Sequence, residues 1–424
     1  MLMSAVGLAL LAAAAGSEPL ALETRVTVSE RGSTRGTAYA AANKIVTIDG
    51  RTHVSWLDSG SITMIQTFDA SGEALTEPVE VGRGLDNHGG PALCADSQGH
   101  LHIFFGPHHG PFQYRRTVRP NDITEWAPVE EIGDTATYPS VVCDSQDTLH
   151  LVYRGGAAPW KLMYQRKPKE GAWTPPVALM KSPVEKGYTQ WGNALTIDAQ
   201  DRLHLAFHFY DVELHKAGFA WSYLYSDDGG VTWRTASGKP IELPGTIETC
   251  EPVLNGDAID LRMGNCSVAP DGVVYATVLH YTKGSSSELW KLEDGKWTAI
   301  ALTPVVREFC AGPADANPVR EAVVHVGTDG TVYVALTVGA GSWGAPGQEV
   351  ALLVSRDAGA TFSVHRVSPV DEETPNWLPN IERNVGRPFV DRPHLVYTHG
   401  HPGETCTPDI KTEIVFVTLP ADLP

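Results

Sequence analysis

Three ten-residue stretches, DSQGHLHIFF at 96–105, DSQDTLHLVY at 144–153 and DAQDRLHLAF at 198–207, are variants of one unit. Each starts with an Asp and a polar turn and continues into a short strand in which His alternates with apolar residues. Four further copies occur, the last of them degenerate: DGRTHVSW at 49–56, DGVVYATV at 271–278, DGTVYVAL at 329–336 and DRPHLVYT at 391–398. The seven copies indicate seven structural repeats.

The spacing of the copies is typical of a β-propeller. Successive starting aspartates lie between 47 positions (Asp49 to Asp96) and 73 positions (Asp198 to Asp271) apart, slightly more than in common propeller repeats, and insertions would explain the excess. Trp-containing strands and Gly or Pro turns fill the intervals, without a long amphipathic helical pattern. The sequence therefore predicts an all-β, seven-bladed β-propeller over residues 25–420.

A second pattern, Ser-x-Asp-x-Gly-x-x-aromatic, occurs at 226–233 (SDDGGVTW) and at 355–362 (SRDAGATF). It resembles the Asp-box of sialidase-like propellers, a hairpin whose Asp caps the amides of the turn and whose aromatic residue packs between blades. The same box occurs in sialidases, lyases and non-catalytic binding proteins, so it predicts architecture and leaves the function open.

Composition narrows the classes of partner. The chain has 424 residues, 42% of them hydrophobic and 19% charged, as expected of a folded globular protein. Its formal charge of −18 argues against nucleic acid, because binding phosphates needs a basic surface. A polyanionic sugar would be repelled as well, so such a substrate requires a locally basic cleft, with salt screening the rest.

The chain starts with an apolar run, MLMSAVGLALLAAAA at 1–15. This run is too short to span a bilayer and ends in small residues, which is typical of a signal peptide, here predicted over residues 1–16. A buried N-terminal element is the alternative. No other stretch has the length of a membrane span, so we expect a secreted or periplasmic protein without a membrane partner. We also expect it to be a monomer.

Histidines flank the strand of the second copy. The segments DNHGGP at 86–91 and GPHHGP at 106–111 place His88, His108 and His109 between Gly and Pro residues. Such loops bring side chains to a surface where catalytic groups usually lie, although a single loop histidine is more often structural or merely exposed. Three histidines within one blade favour a functional site.

A Tyr and an Arg follow in the third copy. Its strand ends at Tyr153, and the next strand carries Arg166. If the repeated strands are the innermost ones of their blades, Tyr153 shares the central funnel with His108. The alternatives are core packing for Tyr153 and a surface ion pair for Arg166.

The segment DNHGGPALCADSQGHLHIFFGPHHGPF at 86–112, together with LHLVYRGG at 149–156, YQR at 164–166 and LHLAFHFYD at 203–211, resembles the ulvan lyases of polysaccharide lyase families 24 and 25. These enzymes are seven-bladed propellers with Asp-box-like repeats. The resemblance extends more weakly from about residue 25 to the C-terminus. It implies a lyase that cleaves an acidic, uronate-containing polysaccharide by β-elimination and leaves a 4,5-unsaturated uronate.

The resemblance also implies roles for the residues. His88 and Tyr153 would be the base and the acid, in an order that the sequence leaves open. His108 and Arg166 would bind the uronate carboxylate, with His109 beside them and Tyr210 as an aromatic substrate contact. Removing the C5 proton requires that the carboxylate charge be neutralised and that a base titrate near the working pH, which imidazole does.

Metals and cysteines give weaker signals. Members of this group can hold a structural metal, which implies a Zn or Ca site here from Cys250, Cys266 and Cys310 with His280 or His394, although no compact ligand spacing supports it. Catalysis as argued needs no cofactor. Cys94 and Cys143 hold equivalent places before two copies of the repeat and form either a disulfide or a pair of buried thiols.

Two other functions use the same fold. A sialidase needs an arginine triad on the substrate carboxylate, for which Arg83, Arg262 and Arg320 are candidates without a supporting local pattern. A non-catalytic glycan-binding propeller would use the aromatic and His residues only for stacking and hydrogen bonding. An unsaturated product separates the lyase from both.

Overall fold

The computed structural model describes residues 24–185, 187–213, 217–256, 260–280, 287–307, 319–403, 410–420 and 423. In these ranges the chain forms 29 strands and a single four-residue helix, α1 (Thr303–Val306). The predicted signal segment 1–16 and the proposed metal ligand Cys310 lie outside the described residues. In the described part of the chain, no helix is long and apolar enough to cross a membrane.

The strands, in chain order, are β1 (Thr24–Gly32), β2 (Ile45–Ile48), β3 (Arg51–Asp58), β4 (Ile62–Asp69), β5 (Val79–Arg83), β6 (Ala92–Ala95), β7 (Leu101–Phe105), β8 (Gly110–Arg116), β9 (Glu130–Cys143), β10 (Leu149–Gly155), β11 (Lys161–Lys167), β12 (Val177–Lys181), β13 (Thr189–Gln190), β14 (Asn193–Ile197), β15 (Leu203–Asp211), β16 (Ala217–Ser226), β17 (Arg234–Thr235), β18 (Leu254–Asn255), β19 (Leu261–Val268), β20 (Val274–His280), β21 (Glu288–Glu293), β22 (Lys296–Ala301), β23 (Val319–Val326), β24 (Val332–Val338), β25 (Glu349–Ser355), β26 (Ser363–Arg366), β27 (Asn376–Ile381), β28 (Leu395–His399) and β29 (Thr412–Thr418).

Seven antiparallel blades result, which confirms the predicted fold class. The long strand β9 serves two blades, because its first half pairs with β8 and its second half with β10. From the axis outwards the blades are β2–β3–β4–β5; β6–β7–β8 with the first half of β9; the second half of β9 with β10–β11–β12; β14–β15–β16–β17; β19–β20–β21–β22; β23–β24–β25–β26; and β27–β28–β29–β1.

The ring is closed by the two ends of the described chain. Strand β1 pairs with β29, from Thr24 opposite Thr418 to Gly32 opposite Thr412, and so becomes the outermost strand of the seventh blade. The first blade starts at β2, directly after this closing strand. Sheets that close into a ring in this way leave only short, protected edges.

The sequence had suggested that the repeated strands are the innermost strands of their blades. In the structure they are not. Strands β2, β6, β9, β14, β19, β23 and β27 contact one another in succession around the axis, whereas the repeats form the second strand of each blade. The strands next to the axis differ in length and composition, from ALCA in β6 to LRMGNCSV in β19 and VREAVVHV in β23, so they share no conspicuous sequence pattern.

The Asp and His of the repeat build a buried network. Asp144 accepts hydrogen bonds from the amides of Gln146 and Thr148 at 2.9 and 2.8 Å and pairs with His150 Nε2 at 3.1 Å. His150 Nδ1 lies 2.7 Å from the Tyr164 hydroxyl, which donates to the Gly229 carbonyl at 2.9 Å. The same network recurs in two other blades with Asp96, His102 and Tyr114, and with Asp198, His204 and Tyr223. These repeat histidines are therefore satisfied core residues.

Side chains near the axis fasten neighbouring innermost strands. Asn265 on β19 accepts a hydrogen bond from Val324 N at 2.7 Å and donates one to Val324 O at 2.8 Å, which ties β19 to β23. Three more asparagines link adjacent blades to the carbonyls of Leu93, Tyr138 and Ala42; these are Asn43, Asn193 and Asn380. Each amide hydrogen-bonds a backbone group that would otherwise be buried without that partner. The ring is therefore held by polar contacts as well as by its hydrophobic core.

One mouth of the central channel is covered. The segment 382–394, between β27 and β28, reaches under several blades: the Val385 carbonyl accepts from Cys143 N at 2.8 Å, and the Asn384 carbonyl accepts from Thr196 Oγ1 at 3.1 Å. Arg387 donates to the carbonyl of Ala199 at 2.8 Å. The open mouth lies at the other side, where the innermost strands start.

The contribution of the amide ties can be measured at Asn265. We expect Asn265→Ala to lower the free energy of unfolding by about 2–4 kcal/mol, because it removes both bonds and leaves the Val324 N–H and C=O buried. Urea unfolding followed by Trp fluorescence measures the change. The control is Asn255→Ala, an exposed residue of β18, whose effect should stay within about 0.5 kcal/mol. Equal losses in both variants would contradict this role of Asn265.

Candidate active site

A cavity of about 470 Å³ opens at the uncovered mouth of the propeller. Every blade contributes to its wall, because the segments that precede the innermost strands and follow the second strands meet there. The lining includes charged and aromatic side chains, which are Arg35, Tyr39, His88, Tyr138, Tyr188, Tyr210, Arg262, Glu321 and Trp343. A concave site with a few convergent polar groups is the usual form of a ligand site.

Two of the predicted histidines share one carboxylate. Asp86 Oδ1 lies 3.0 Å from His88 Nδ1, and Asp86 Oδ2 lies 2.6 Å from His108 Nδ1. The two imidazole rings stack with centroids 4.0 Å apart and an angle of 20° between their planes. The backbone amide of His88 also donates to Asp86 Oδ1 at 2.7 Å, so the loop turns around this carboxylate.

The hydrogen bonds determine the tautomer of both rings. Burial opposes ionisation of Asp86, yet the hydrogen bonds from His108 and His88 hold its pKa well below its usual range. An ionised carboxylate only accepts hydrogen bonds, so both Nδ1 atoms carry the proton. The pKa of His88 is lowered, mainly by burial and against the pull of Asp86. His88 is thus neutral near pH 7, with a lone pair on Nε2.

The third histidine belongs to a neighbouring cluster around Arg154. His109 stacks beside His108, with ring centroids 4.2 Å apart, and Arg154 Nη2 lies 3.2 Å from His109 Nδ1. Arg154 is fully buried and donates through Nη1 to the Tyr188 hydroxyl at 2.7 Å. Burial and the Arg154 charge together lower the pKa of His109 to about 4. Arg154 therefore positions the aromatic side chains of the wall from behind.

A second polar pair, Arg35 and Tyr39, lies next to His88. Arg35 Nη1 donates to the Tyr39 hydroxyl at 2.7 Å, and the Tyr39 ring lies 6.2 Å from the His88 ring, centroid to centroid. Burial raises the pKa of Tyr39 and Arg35 opposes this rise, so the phenol is protonated. Tyr39 and Tyr138, with rings 5.1 Å apart, have φ angles of 67° and 60°. Bulky residues rarely adopt such values, and strain of this kind clusters at functional sites.

The structure does not place Tyr153 and Arg166 in this cavity. Tyr153 is 3% exposed, donates its hydroxyl to Gln165 Oε1 at 2.6 Å and packs edge-on against Phe112, so the alternative of core packing applies. Arg166 Nη1 donates to the Gly229 carbonyl at 3.0 Å, in the Asp-box turn of the next blade. The expectation that Tyr153 faces the central funnel was wrong, because its side chain lies on the core face of β10, whereas the next side chain, Arg154, contacts the wall tyrosines.

Tyr210 does line the cavity, with the guanidinium of Arg262 over its ring at 4.5 Å. Of the three arginines considered for a sialidase triad, Arg262 lines the cavity. Arg83 forms an exposed ion pair with Glu80 at 2.9 Å, and Arg320 donates to the Gly341 carbonyl. The structure does not bring these three arginines together.

The proposed metal ligands are also dispersed. Cys250 donates to the carbonyl of Ile247, Cys266 donates to the carbonyl of Ala194, and His394 Nε2 lies 3.3 Å from Thr52 Oγ1. They belong to different blades, so these residues do not fit a common metal site. His280 pairs instead with Glu288 at 3.4 Å. Cys94 and Cys143 are free and buried, which leaves the buried-thiol alternative.

Glu321 is the one carboxylate among the described residues that line the cavity. It is 8% exposed, and Thr337 and Trp343 lie next to its carboxyl group. Burial raises its pKa above the usual value. The wall therefore combines two arginines, Arg35 and Arg262, with an acid that resists ionisation.

Sequence reasoning missed Asp86 as a partner of both histidines, and it missed Arg35, Tyr39, Tyr138, Tyr188 and Glu321. Asp86 was within the quoted motif, two positions before His88, so its spacing was an available signal. Arg35, Tyr39 and Tyr188 precede strands, and Tyr138 and Glu321 lie within β9 and β23, so all are outside the repeat and have no pattern of their own in one sequence.

Comparison with known proteins gives a family match and distant relatives. Residues 37–304 match a family model, and the description of that family is “BNR repeat-containing family member”. The ulvan lyase of Alteromonas sp. (strain LOR) is 26% identical in an alignment 159 residues long, with coverage of 31% of this chain and 33% of that protein. Ulvan Lyase-PL25 of Pseudoalteromonas sp. (strain PLSV) is 28% identical in an alignment 116 residues long, with coverage of 24% of each chain. The matched regions span a third or less of these curated relatives.

A solved structure is similar over nearly the whole length. The polysaccharide lyase PL25 ulvan lyase bound to -[GlcA(1-4)Rha3S]- superposes with a TM-score of 0.72, covering 92% of this chain and 95% of that chain. The sequence identity in this superposition is 14%, so the likeness establishes the propeller fold.

The link between Asp86 and His88 can be tested by titration. The carboxylate raises the pKa of His88 against the effect of burial, so Asp86→Asn should lower that pKa further. NMR titration of the imidazole C–H signals measures the change. Asp357→Asn, in the distant Asp-box turn, is the matched control and should leave the His88 titration unchanged. An unchanged or raised His88 pKa in Asp86→Asn would refute the assignment.

Proposed function

The chain belongs to the BNR repeat-containing family, and from this premise we propose that it is a polysaccharide lyase that cleaves an acidic, uronate-containing polysaccharide of the ulvan type. The observation that carries the proposal is the position of His88: Asp86 holds its Nδ1–H, and the ring lines a cavity beside the Arg35–Tyr39 pair. A base and an acid thus face one space, as β-elimination requires.

The reaction sets three demands. A base removes the C5 proton, the electron pair of the C5–H bond forms the C4=C5 double bond, and the C4–O4 bond breaks while O4 takes up a proton. The carboxylate at C5 must be stabilised as negative charge moves onto it. A site for this chemistry needs a base, a proton donor and positive charge within a few ångströms of one sugar ring.

His88 meets the demand for a base. Its Nδ1 proton is held by Asp86, so Nε2 is the ring nitrogen that can accept a proton, and the charge on Asp86 stabilises the imidazolium that forms. The stacked His108 is held in the same tautomer by the other carboxylate oxygen. This arrangement fixes the orientation of the base.

Tyr39 meets the demand for an acid. Its phenol is protonated, and its oxygen already accepts a hydrogen bond from Arg35 Nη1, so the proton of the hydroxyl is available for O4. The phenolate left after proton transfer is stabilised by the same guanidinium. Tyr39 therefore takes the role that the family resemblance had implied for Tyr153, whose hydroxyl is buried against Gln165.

The substrate class follows from charge and from the relatives. Arg35 and Arg262 give the cavity wall positive charge in an otherwise acidic chain, which suits a uronate carboxylate. The matched relatives are named ulvan lyases, which supports ulvan as the first polymer to test. A polymer substrate is met outside the cell or in the periplasm, and the apolar start of the chain supports such a location.

The activity itself is tested by product formation. Purified protein should release 4,5-unsaturated uronate from ulvan, seen as rising ultraviolet absorbance of the conjugated product, with alginate and heparan sulfate as polymer controls. His88→Gln should lower kcat by about 10²–10⁴-fold, because it removes the base. The control variant is His401→Gln, an exposed histidine, which should keep full activity. No product from any uronate polymer, with a folded sample that binds ulvan, would favour a glycan-binding propeller instead.

Two tyrosines separate the competing assignments of the acid. We expect Tyr39→Phe to lower kcat by about 10²–10⁴-fold with little change in KM, because only proton transfer is lost. Tyr153→Phe removes a buried hydrogen bond to Gln165 and should keep activity within about threefold, with a small loss of stability. The reverse pattern would return the role to Tyr153 and overturn the assignment of Tyr39.

A further inference from the structure

We propose that Asp86, His88 and His108 form a binding site for a divalent transition-metal ion such as Zn²⁺, and that its occupation switches off the base. The metal-binding part stands on geometry alone. The inhibitory part rests on the proposed lyase function of His88.

The three side chains converge as a ligand set. One donor atom from each lies within 4.8 Å of the other two, and in the described part of the chain they are the only group of three metal-type donors so arranged. The contacts between carboxylate and imidazoles are 3.0 and 2.6 Å, and the rings are stacked 4.0 Å apart. An ion placed where the two Nδ1 protons now lie would contact both nitrogens and the carboxylate with small movements of the rings.

The chemistry of the donors selects the ion. Two imidazole nitrogens and one carboxylate oxygen suit Zn²⁺, Ni²⁺ or Cu²⁺, whereas Ca²⁺ and Mg²⁺ prefer oxygen ligands alone. The side chains of Asp86, His88 and His108 are 26%, 14% and 20% exposed. They are thus accessible from solvent, and water can complete the coordination.

The site is ordered before a metal binds. Asp86 is held by three hydrogen bonds, two from His88 and one from His108. The loop that carries His88 is tied to the loop before His108 by the bond from Gly106 N to Gly89 O at 3.1 Å. Because the ligands already occupy fixed positions, binding loses little further conformational entropy.

Coordination through Nδ1 changes the tautomer. A neutral imidazole bound to the metal by Nδ1 carries its proton on Nε2, so each proton moves from one ring nitrogen to the other and none is released. The lone pair on His88 Nε2, which accepts the C5 proton in the proposed reaction, is then lost. The metal-bound protein keeps an open cavity but has no base.

Isothermal titration with Zn²⁺ and with Ni²⁺ tests the binding part. We expect one ion per chain in the wild-type protein and affinity weakened by roughly tenfold or more in Asp86→Asn and in His108→Gln. His401→Gln, the exposed control, should bind as the wild type does. Thermal melting of each variant verifies folding. Equal affinity in all four proteins, or loss of binding in the control alone, would overturn the site.

Activity tests the switch. Zn²⁺ should inhibit ulvan cleavage with a midpoint that matches the calorimetric dissociation constant, and a chelator should restore the rate. Stoichiometric binding to Asp86, His88 and His108 without inhibition would overturn the tautomer argument. A protein that cleaves no uronate polymer would instead refute the proposed lyase, while the calorimetry of the variants still decides the metal site.

Discussion

The pairing of β1 with β29 is the constraint on which the rest of the molecule depends. Six further blades can stack only if the seventh closes the ring, and this blade takes three strands from the end of the chain and one from its start. The closure is tight: a Cβ atom at Gly36 would lie 2.3 Å from Ile414 Cδ1. Because β1 ends at Gly32, the next residues reach the open mouth at once and place Arg35 and Tyr39 against His88. The cavity is therefore a product of ring closure.

The fold could be predicted because the repeat consists of residues that the propeller architecture itself requires. Asp144 caps a turn and orients His150, which is hydrogen-bonded to the Tyr164 hydroxyl, and the same chemistry recurs in two more blades. A buried polar group must be paired, so this network tolerates few other residue types. The same fact limits functional inference. The histidines that stand out in the repeated motif are structural. The histidines that could take part in a reaction lie in the loops between the repeats.

The site could be predicted in part, and strand order explains the part that failed. His88 and His108 belong to the loops before and after the β6–β7 hairpin, so proximity in sequence was enough to join them. Tyr153 was placed by assuming that its strand is innermost. In the structure, the second half of β9 lies between β10 and the propeller axis. Arg154, the residue after Tyr153, is the one that contacts the wall tyrosines. Tyr39 has no repeat partner, and only the closed ring brings it to the cavity.

The net charge of the whole chain differs from the charge of the cavity lining. A chain with a formal charge of −18 would be expected to repel a polyuronate, yet the described lining of the cavity has two arginines and a single carboxylate whose pKa is raised by burial. Surface charges beyond about 10 Å are largely screened at moderate ionic strength, whereas groups at a half-buried wall are screened much less. The field inside the cavity thus depends on local groups, namely Arg35 and Arg262, the latter paired with Asp260, rather than on the sum over the surface. Net charge bears on solubility and encounter, and a few desolvated groups decide which anion the site can hold.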